Sequence, residues 1–199
     1  MLFCYAGIFL AYVLMFCYTE LEVISMPLYK NLQVRLPEYI VEFVTTENLS
    51  KYEGIFYSNT EYYLITDGHP ATKQDCIETV EFGNNYPKDM SYCIGISSKN
   101  EAVAFISFFE GYPDVNTLYI GLFLMNEPFK RKSIGTKIMT SLIEEAFIAN
   151  YTCIKLSVQD NNISGYSFWT KLGFEITEKC ECCGFCNLSM ELKRGTQTH

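Results

Sequence analysis

Seven consecutive residues, Lys130, Arg131, Lys132, Ser133, Ile134, Gly135 and Thr136, join a β-rich run that ends near Met125 to an amphipathic run that opens at Ser133. A helix starting there leaves its first backbone N–H groups unpaired and presents the positive end of its dipole. Three basic side chains surround those donors, and Gly135 lets a guest come close to the backbone. The turn therefore has the chemistry of a phosphate or pyrophosphate cradle. It is neither a GxxxxGK[ST] loop nor a GxGxxG fingerprint. Taken alone it reads equally as a solvated basic turn opening a helix.

A second constellation follows the β-rich run Cys153–Val158. Asn162, Gly165, Trp169, Lys171, Gly173 and Phe174 are spaced as N-x-x-G-x-x-x-W-x-K-x-G-F. Among groups able to move a proton, Tyr166 lies one turn before Trp169, and Glu110 and Tyr119 stand near strands. Such residues ordinarily just occupy sheet faces and helix surfaces, so no catalytic acid or base is assigned. Cys180, Cys182, Cys183 and Cys186 include one C-x-x-C step. Adjacent Cys182 and Cys183 point to opposite faces of a strand, however, and no second C-x-x-C pair exists, so no metal site is expected. His69 and His199 are isolated in sequence.

With both motifs in view the chain resembles the GCN5-related N-acetyltransferase (GNAT) superfamily. In that family Q/R-x-x-G-x-G/A opens the central helix, and its amides hold the pyrophosphate of acetyl-CoA. Lys130 stands at the Q/R position, Ser133 at the first Gly and Gly135 at the second. Many members continue with N-x-x-A-x-x-x-Y-x-K-x-G-F. Here Asn162, Lys171, Gly173 and Phe174 match, with Gly165 for Ala and Trp169 for Tyr.

The resemblance covers roughly Tyr39 to Lys193. It implies an α/β fold in which an antiparallel meander joins a βαβ unit, in one mixed sheet, with splayed parallel strands. It further implies acetyl-CoA as co-substrate, held by Leu124, Met125, Lys130, Arg131, Lys132, Ser133, Ile134, Gly135, Thr136 and Asn162. The pantetheine arm would pair with backbone near Leu124 to Asn126, and a backbone N–H at Leu124 to Met125 would meet the oxyanion. Acetyl would pass directly to a primary amine without a covalent enzyme intermediate.

Two departures matter. Ser133 carries a Cβ, which is a burden if the turn needs positive φ. In many relatives the Tyr at the Trp169 position protonates the departing thiolate, whereas an indole N–H donates a hydrogen bond but delivers no proton near neutral pH. A thiol of pKa about 8.5 is a tolerable leaving group, so water or no donor at all can suffice. These departures keep open a non-catalytic acyl-CoA binding or sensing module. A membrane-tethered interaction protein with a zinc hairpin is the more distant alternative.

These residues need elements to hold them. Ser91–Ser97 and Ala102–Phe109 are β-rich runs separated by a polar turn, and Thr117–Met125 follows, giving the meander. Ser133–Asn150 reads as a helix with Ile138, Met139, Leu142, Ile143, Ala146 and Phe147 on one face and Lys137, Glu144 and Glu145 on the other. Cys153–Val158 is a strand with Ile154, Leu156 and Val158 on one face. Gly165–Leu172 is a short helix stopped by Gly173, and Phe174–Lys179 with Phe185–Lys193 make a closing hairpin. A strand, a crossover helix and a strand force one parallel pair. Upstream, Tyr39–Thr46 reads as a strand, and Glu47–Ser58 and Ala71–Phe82 as helices, with Asn48, Ser50 and Thr72 as available caps.

The chain has 199 residues, 49% of them hydrophobic, enough for one substantial core. Its net charge of -8 argues against a nucleic-acid partner and suits an amine acceptor, either a small amine or a protein amine. Nine irregularly spread cysteines point to a reducing, cytoplasmic setting. Met1 to Tyr18 carries no charged residue and approaches the length of a bilayer-spanning helix. It lacks the basic n-region of a cleaved signal, and Lys30 and Arg35 after it would keep the remainder on the cytoplasmic side. It reads equally as a membrane anchor or as residues ahead of a folded start near Met26. The expected organisation is an apolar segment over 1–25 and an N-acetyltransferase domain over 26–199. Membrane attachment and homodimerisation stay open.

Overall fold

The computed structural model describes residues 28–85, 90–182 and 185–195. The apolar segment, the Met26 boundary, Cys183 and His199 lie outside those residues.

Helix α1 (Leu28–Arg35) leads into strand β1 (Ile40–Phe43), a short 3-10 turn (Leu49–Lys51), α2 (Glu53–Ser58), α3 (Thr60–Thr66) and α4 (Lys73–Asn85). Strands β2 (Ser91–Ser98), β3 (Glu101–Glu110) and β4 (Thr117–Met125) follow. Then come α5 (Ile134–Ile148), β5 (Cys153–Gln159), α6 (Ile163–Lys171), β6 (Glu175–Cys182) and β7 (Phe185–Lys193). The strands form one seven-stranded sheet in the order β1-β2-β3-β4-β5-β7-β6. Only β4 and β5 run parallel; the other neighbours are antiparallel. This is the expected meander joined to a βαβ unit.

Period-two alternation gives the sheet two apolar faces. Ile94, Ile106, Phe108, Leu118, Ile120, Ile154, Leu156 and Val158 share a core with Leu32 of α1, Ile138 and Leu142 of α5, and Trp169 of α6. Cys93, Phe105 and Leu124 face the other way, under Tyr52, Phe56, Tyr63 and Val80. The β2–β3 hairpin turns at Lys99 and Asn100, both at positive φ (49° and 69°), which matches the twist of the flanking strands. Gly95 is required by packing, since a Cβ there would lie 2.1 Å from the Tyr52 ring.

Three sequence expectations need correction. Glu47–Ser58 is not one helix, and Asn48 does not cap it. Instead its Oδ1 accepts the Thr45 N–H at 2.8 Å and its Nδ2 donates to the Phe43 carbonyl at 3.0 Å, closing a turn off β1. Helix α3 was not anticipated at all. Glu145, placed by periodicity on the solvent side of α5, is buried, because Arg35 of α1 bonds both Glu145 and Glu144 and roofs that face. Thr72 does cap α4 reciprocally: its Oγ1 accepts the Asp75 N–H at 3.3 Å while Asp75 accepts the Thr72 N–H at 2.7 Å. Among the described residues no helix is long and apolar enough to cross a membrane.

Glu110 closes β3 on the α1 side, where its Oε2 accepts the Tyr151 hydroxyl at 3.0 Å. Burial raises its carboxyl pKa, and the Tyr151 bond only partly opposes this. A carboxyl whose folded pKa lies above its unfolded value contributes fully below the unfolded pKa and loses that contribution as pH rises through the folded one. Glu110→Gln keeps the acceptor for Tyr151 and removes the ionisation. Its Tm is therefore expected to gain on that of the parent as pH rises from 4 to 8. A Tm difference that does not vary with pH would show the carboxylate to be ionised without penalty.

Candidate active site

Strands β4 and β5 pair from Thr117 with Cys153 to Ile120 with Leu156, and then part. A bulge marks the place. On β3, Ser107 faces Leu122 and Phe108 faces Ile120, so Gly121 is the extra residue on β4. A Cβ on Gly121 would come 2.7 Å from the Phe109 ring. Beyond the bulge a cleft of about 930 Å³ opens between Gly121–Met125 and Leu156–Gln159. One wall is the stretch from Ser58 to Thr66 on the face of α2 to α4; the other is the turn into α5 together with α6.

Leu124, Met125, Lys130, Arg131, Ser133, Gly135, Thr136 and Asn162 all line this cleft. Two expected residues do not. Lys132 is exposed outside it, and the Ile134 side chain packs onto the core beneath α5. The turn is built by left-handed backbone at Arg131 (φ 59°) and Ser133 (φ 60°) around extended and helical neighbours. Such a reversal folds successive N–H groups toward one point. The first helical bond of α5 runs from the Lys137 N–H to the Ser133 carbonyl at 3.0 Å. The N–H groups of Ile134, Gly135 and Thr136 are thus the free first-turn donors. A Cβ on Gly135 would meet Met125 and Phe123 at ordinary contact distance, nothing nearer than 3.4 Å, so the fold tolerates a side chain there. Lys130 is paired with Glu127 at 2.7 Å.

Asn162 caps α6 by accepting the Gly165 N–H on Oδ1 at 2.9 Å. A Cβ on Gly165 would lie 2.7 Å from the Asn162 side chain, which accounts for glycine at that position. Trp169 is 8% exposed and packs among Phe168 at 5.0 Å, Phe174 at 5.3 Å and Phe123 at 6.2 Å. Tyr166 lies outside the lining and packs against the core. Glu110 and Tyr119 also lie outside it, at the end of the sheet where β4 and β5 are still paired. Cys180 is exposed and lies opposite Asn187, while Cys186 lies opposite Glu181. No group of three or more metal-binding side chains is assembled among the described residues.

The wall from Ser58 to Thr66 escaped the sequence reading. Its anchor is Asn59, 8% exposed, which donates from Nδ2 to the Ile55 carbonyl at 2.7 Å and to the Met125 carbonyl at 2.9 Å. Asn126 is tied down as well: its N–H donates to Val103 at 2.9 Å and its side chain to Ala102 at 2.8 Å. Two of the backbone groups expected to receive a pantetheine arm are therefore already bonded within the protein. A lone Asn between two short apolar stretches was the only hint of this in the sequence.

Solved structures share the architecture. An acetyltransferase from Thermus thermophilus superimposes with a TM-score of 0.65 at 14% identity, covering 78% of this chain and 97% of that one. The PaiA N-acetyltransferase of Thermoplasma acidophilum, solved in complex with coenzyme A, gives 0.58 at 14% identity, covering 78% and 99%. The structure of AAC(6')-Ib, in complex with parmomycin and acetyl-CoA, gives 0.63 at 15% identity, covering 81% and 98%. At these identities the likeness is one of fold. The model of the acetyltransferase (GNAT) family matches residues 55–174, the stretch that holds the whole parting of β4 and β5 and most of both walls. That match spans more than half of the sequence, and the chain belongs to the acetyltransferase (GNAT) family.

Proposed function

We propose that the cleft binds acetyl-CoA, with its pyrophosphate on the turn from Lys130 to Thr136, and passes the acetyl group directly to a primary amine. The observation that carries this reading is the union of two features: a gap between parallel strands and, at its lip, a helix start whose free N–H groups face the same space. An extended arm can lie along the strand edges while its phosphates rest on the helix start. Arg131 and Lys171 on that side suit the phosphates, whereas Glu61 on the opposite wall suits a cationic amine.

The lining holds no cysteine among the described residues, which fits attack by the amine itself. The nitrogen adds to the thioester carbon, the carbonyl electrons move to oxygen, and their return expels the thiolate. Holding both reactants in line would supply most of the rate, and a backbone N–H at the Leu124 to Met125 lip would meet the developing oxyanion. A non-catalytic binding module is separated from this reading by CoA release, measured with acetyl-CoA and a panel of amines.

Three outcomes are expected. Gly135→Glu places a carboxylate over the cradle and should abolish most acetyl-CoA binding by calorimetry; an unchanged Kd would put the site elsewhere. At Ser133 the left-handed backbone costs about 1–2 kcal/mol; glycine escapes that cost but loses roughly 0.5–1 kcal/mol through its freer unfolded chain, a net gain. Ser133→Gly should thus raise Tm by about 2 °C without weakening acetyl-CoA binding, and a lower Tm would contradict the strain. The chain from Met26 onward should bind acetyl-CoA like the full chain, because every described cleft residue follows Tyr57; aggregation of the shortened chain alone would make the apolar segment part of the fold.

A further inference from the structure

We propose that Tyr62 is a catalytic residue whose hydroxyl donates a hydrogen bond to the oxyanion formed on the acetyl group. This rests on the acetyl transfer proposed above and adds a donor from α3, on the wall opposite the phosphate turn.

Tyr62 is the one tyrosine in the described lining of the cleft, which contains neither histidine nor cysteine. Its place is fixed from two sides. Asn59, one helical turn earlier, is pinned to the Met125 carbonyl at 2.9 Å, and residues three apart on a helix are neighbours on one surface. The ring stands edge-on to Tyr63 at 5.2 Å and packs against the cluster that contains Leu124. It is thereby held in the α3 wall that lines the cleft. Its hydroxyl has no hydrogen-bond partner among the described residues and is not fully enclosed.

The acidity of the phenol selects its role. Burial, reinforced by the Asp67 carboxylate, pushes the Tyr62 pKa up to about 12. A thiol has a pKa of about 8.5, so a full proton transfer from this phenol to a departing thiolate runs uphill by several powers of ten. The hydroxyl instead stays protonated across the neutral range and remains a fixed donor, which is what charge appearing on oxygen requires. In the addition step the amine nitrogen bonds to carbon and the carbonyl electron pair moves to oxygen, where the O–H of Tyr62 meets it. In the collapse step the pair returns and the C–S bond breaks. Sulfur takes a proton from solvent, and the new amide nitrogen gives one up to it.

Tyr62→Phe removes the oxygen and keeps the ring, so Tm should not fall. With acetyl-CoA and either 1,4-diaminobutane or an alanyl peptide as acceptor, kcat should drop about a hundredfold. The acceptor KM and the acetyl-CoA Kd should stay near the parent values. A readout independent of the acceptor is the infrared band of the labelled carbonyl in bound [1-13C]acetyl-CoA. Its shift to lower frequency on binding should shrink in the variant. Equal kcat with an equal band position would overturn the assignment, as would a change confined to the acceptor KM, which would make Tyr62 an acceptor contact. If the parent protein fails to bind acetyl-CoA by calorimetry, the proposed function falls and this inference falls with it.

Discussion

An unpaired strand edge inside a protein is unstable unless something satisfies its backbone groups, and this fold opens two such edges where β4 leaves β5. Much of the surrounding sequence answers that one constraint. Gly121 supplies the extra residue that bends β4 away, and a Cβ there would press on the edge of the Phe109 ring. Asn59 and Val103 take up the Met125 carbonyl and the Asn126 N–H at the rim. The backbone left between these ties is what an extended ligand arm can use.

The sheet also separates two chemistries. The core-rich face under α1, α5 and α6 presents the helix start, with Arg131 and Lys171 nearby. The other face presents Glu61, Tyr62 and the neutral side chains of α3. An anionic donor and a cationic acceptor can then approach one gap from opposite sides without crossing paths. The net charge of -8 belongs mostly to the general surface, since few of the acidic residues reach the cleft.

What could be read from the sequence was what depends on neighbours along the chain. Strand β4 occupies Thr117–Met125 as its composition indicates, and the basic turn into α5 is complete within a few residues. Features set by partners far along the chain were illegible. Glu145 is buried because of Arg35, 110 residues away, and the α2–α3 wall is positioned by a bond spanning 66 residues. The placement of the Lys132 and Ile134 side chains was illegible for a related reason. Motif spacing places a residue on a helix, but the rotation of that helix against the sheet decides which side chains see the gap.

The strand order carries a consequence for biosynthesis. Strand β7 follows β6 along the chain, yet it sits between β5 and β6 rather than at an edge. Until Phe185–Lys193 has left the ribosome, β5 has no partner on that side, and β5 forms one bank of the cleft. Folding of the meander can begin early through local contacts, but the cleft can be completed only after Phe185–Lys193 has emerged and paired with β5. In the interval the nascent chain presents Ile154, Leu156 and Val158 on an open strand. That makes the interval between emergence of β5 and pairing with β7 the period in which this strand is most exposed to strand-to-strand aggregation.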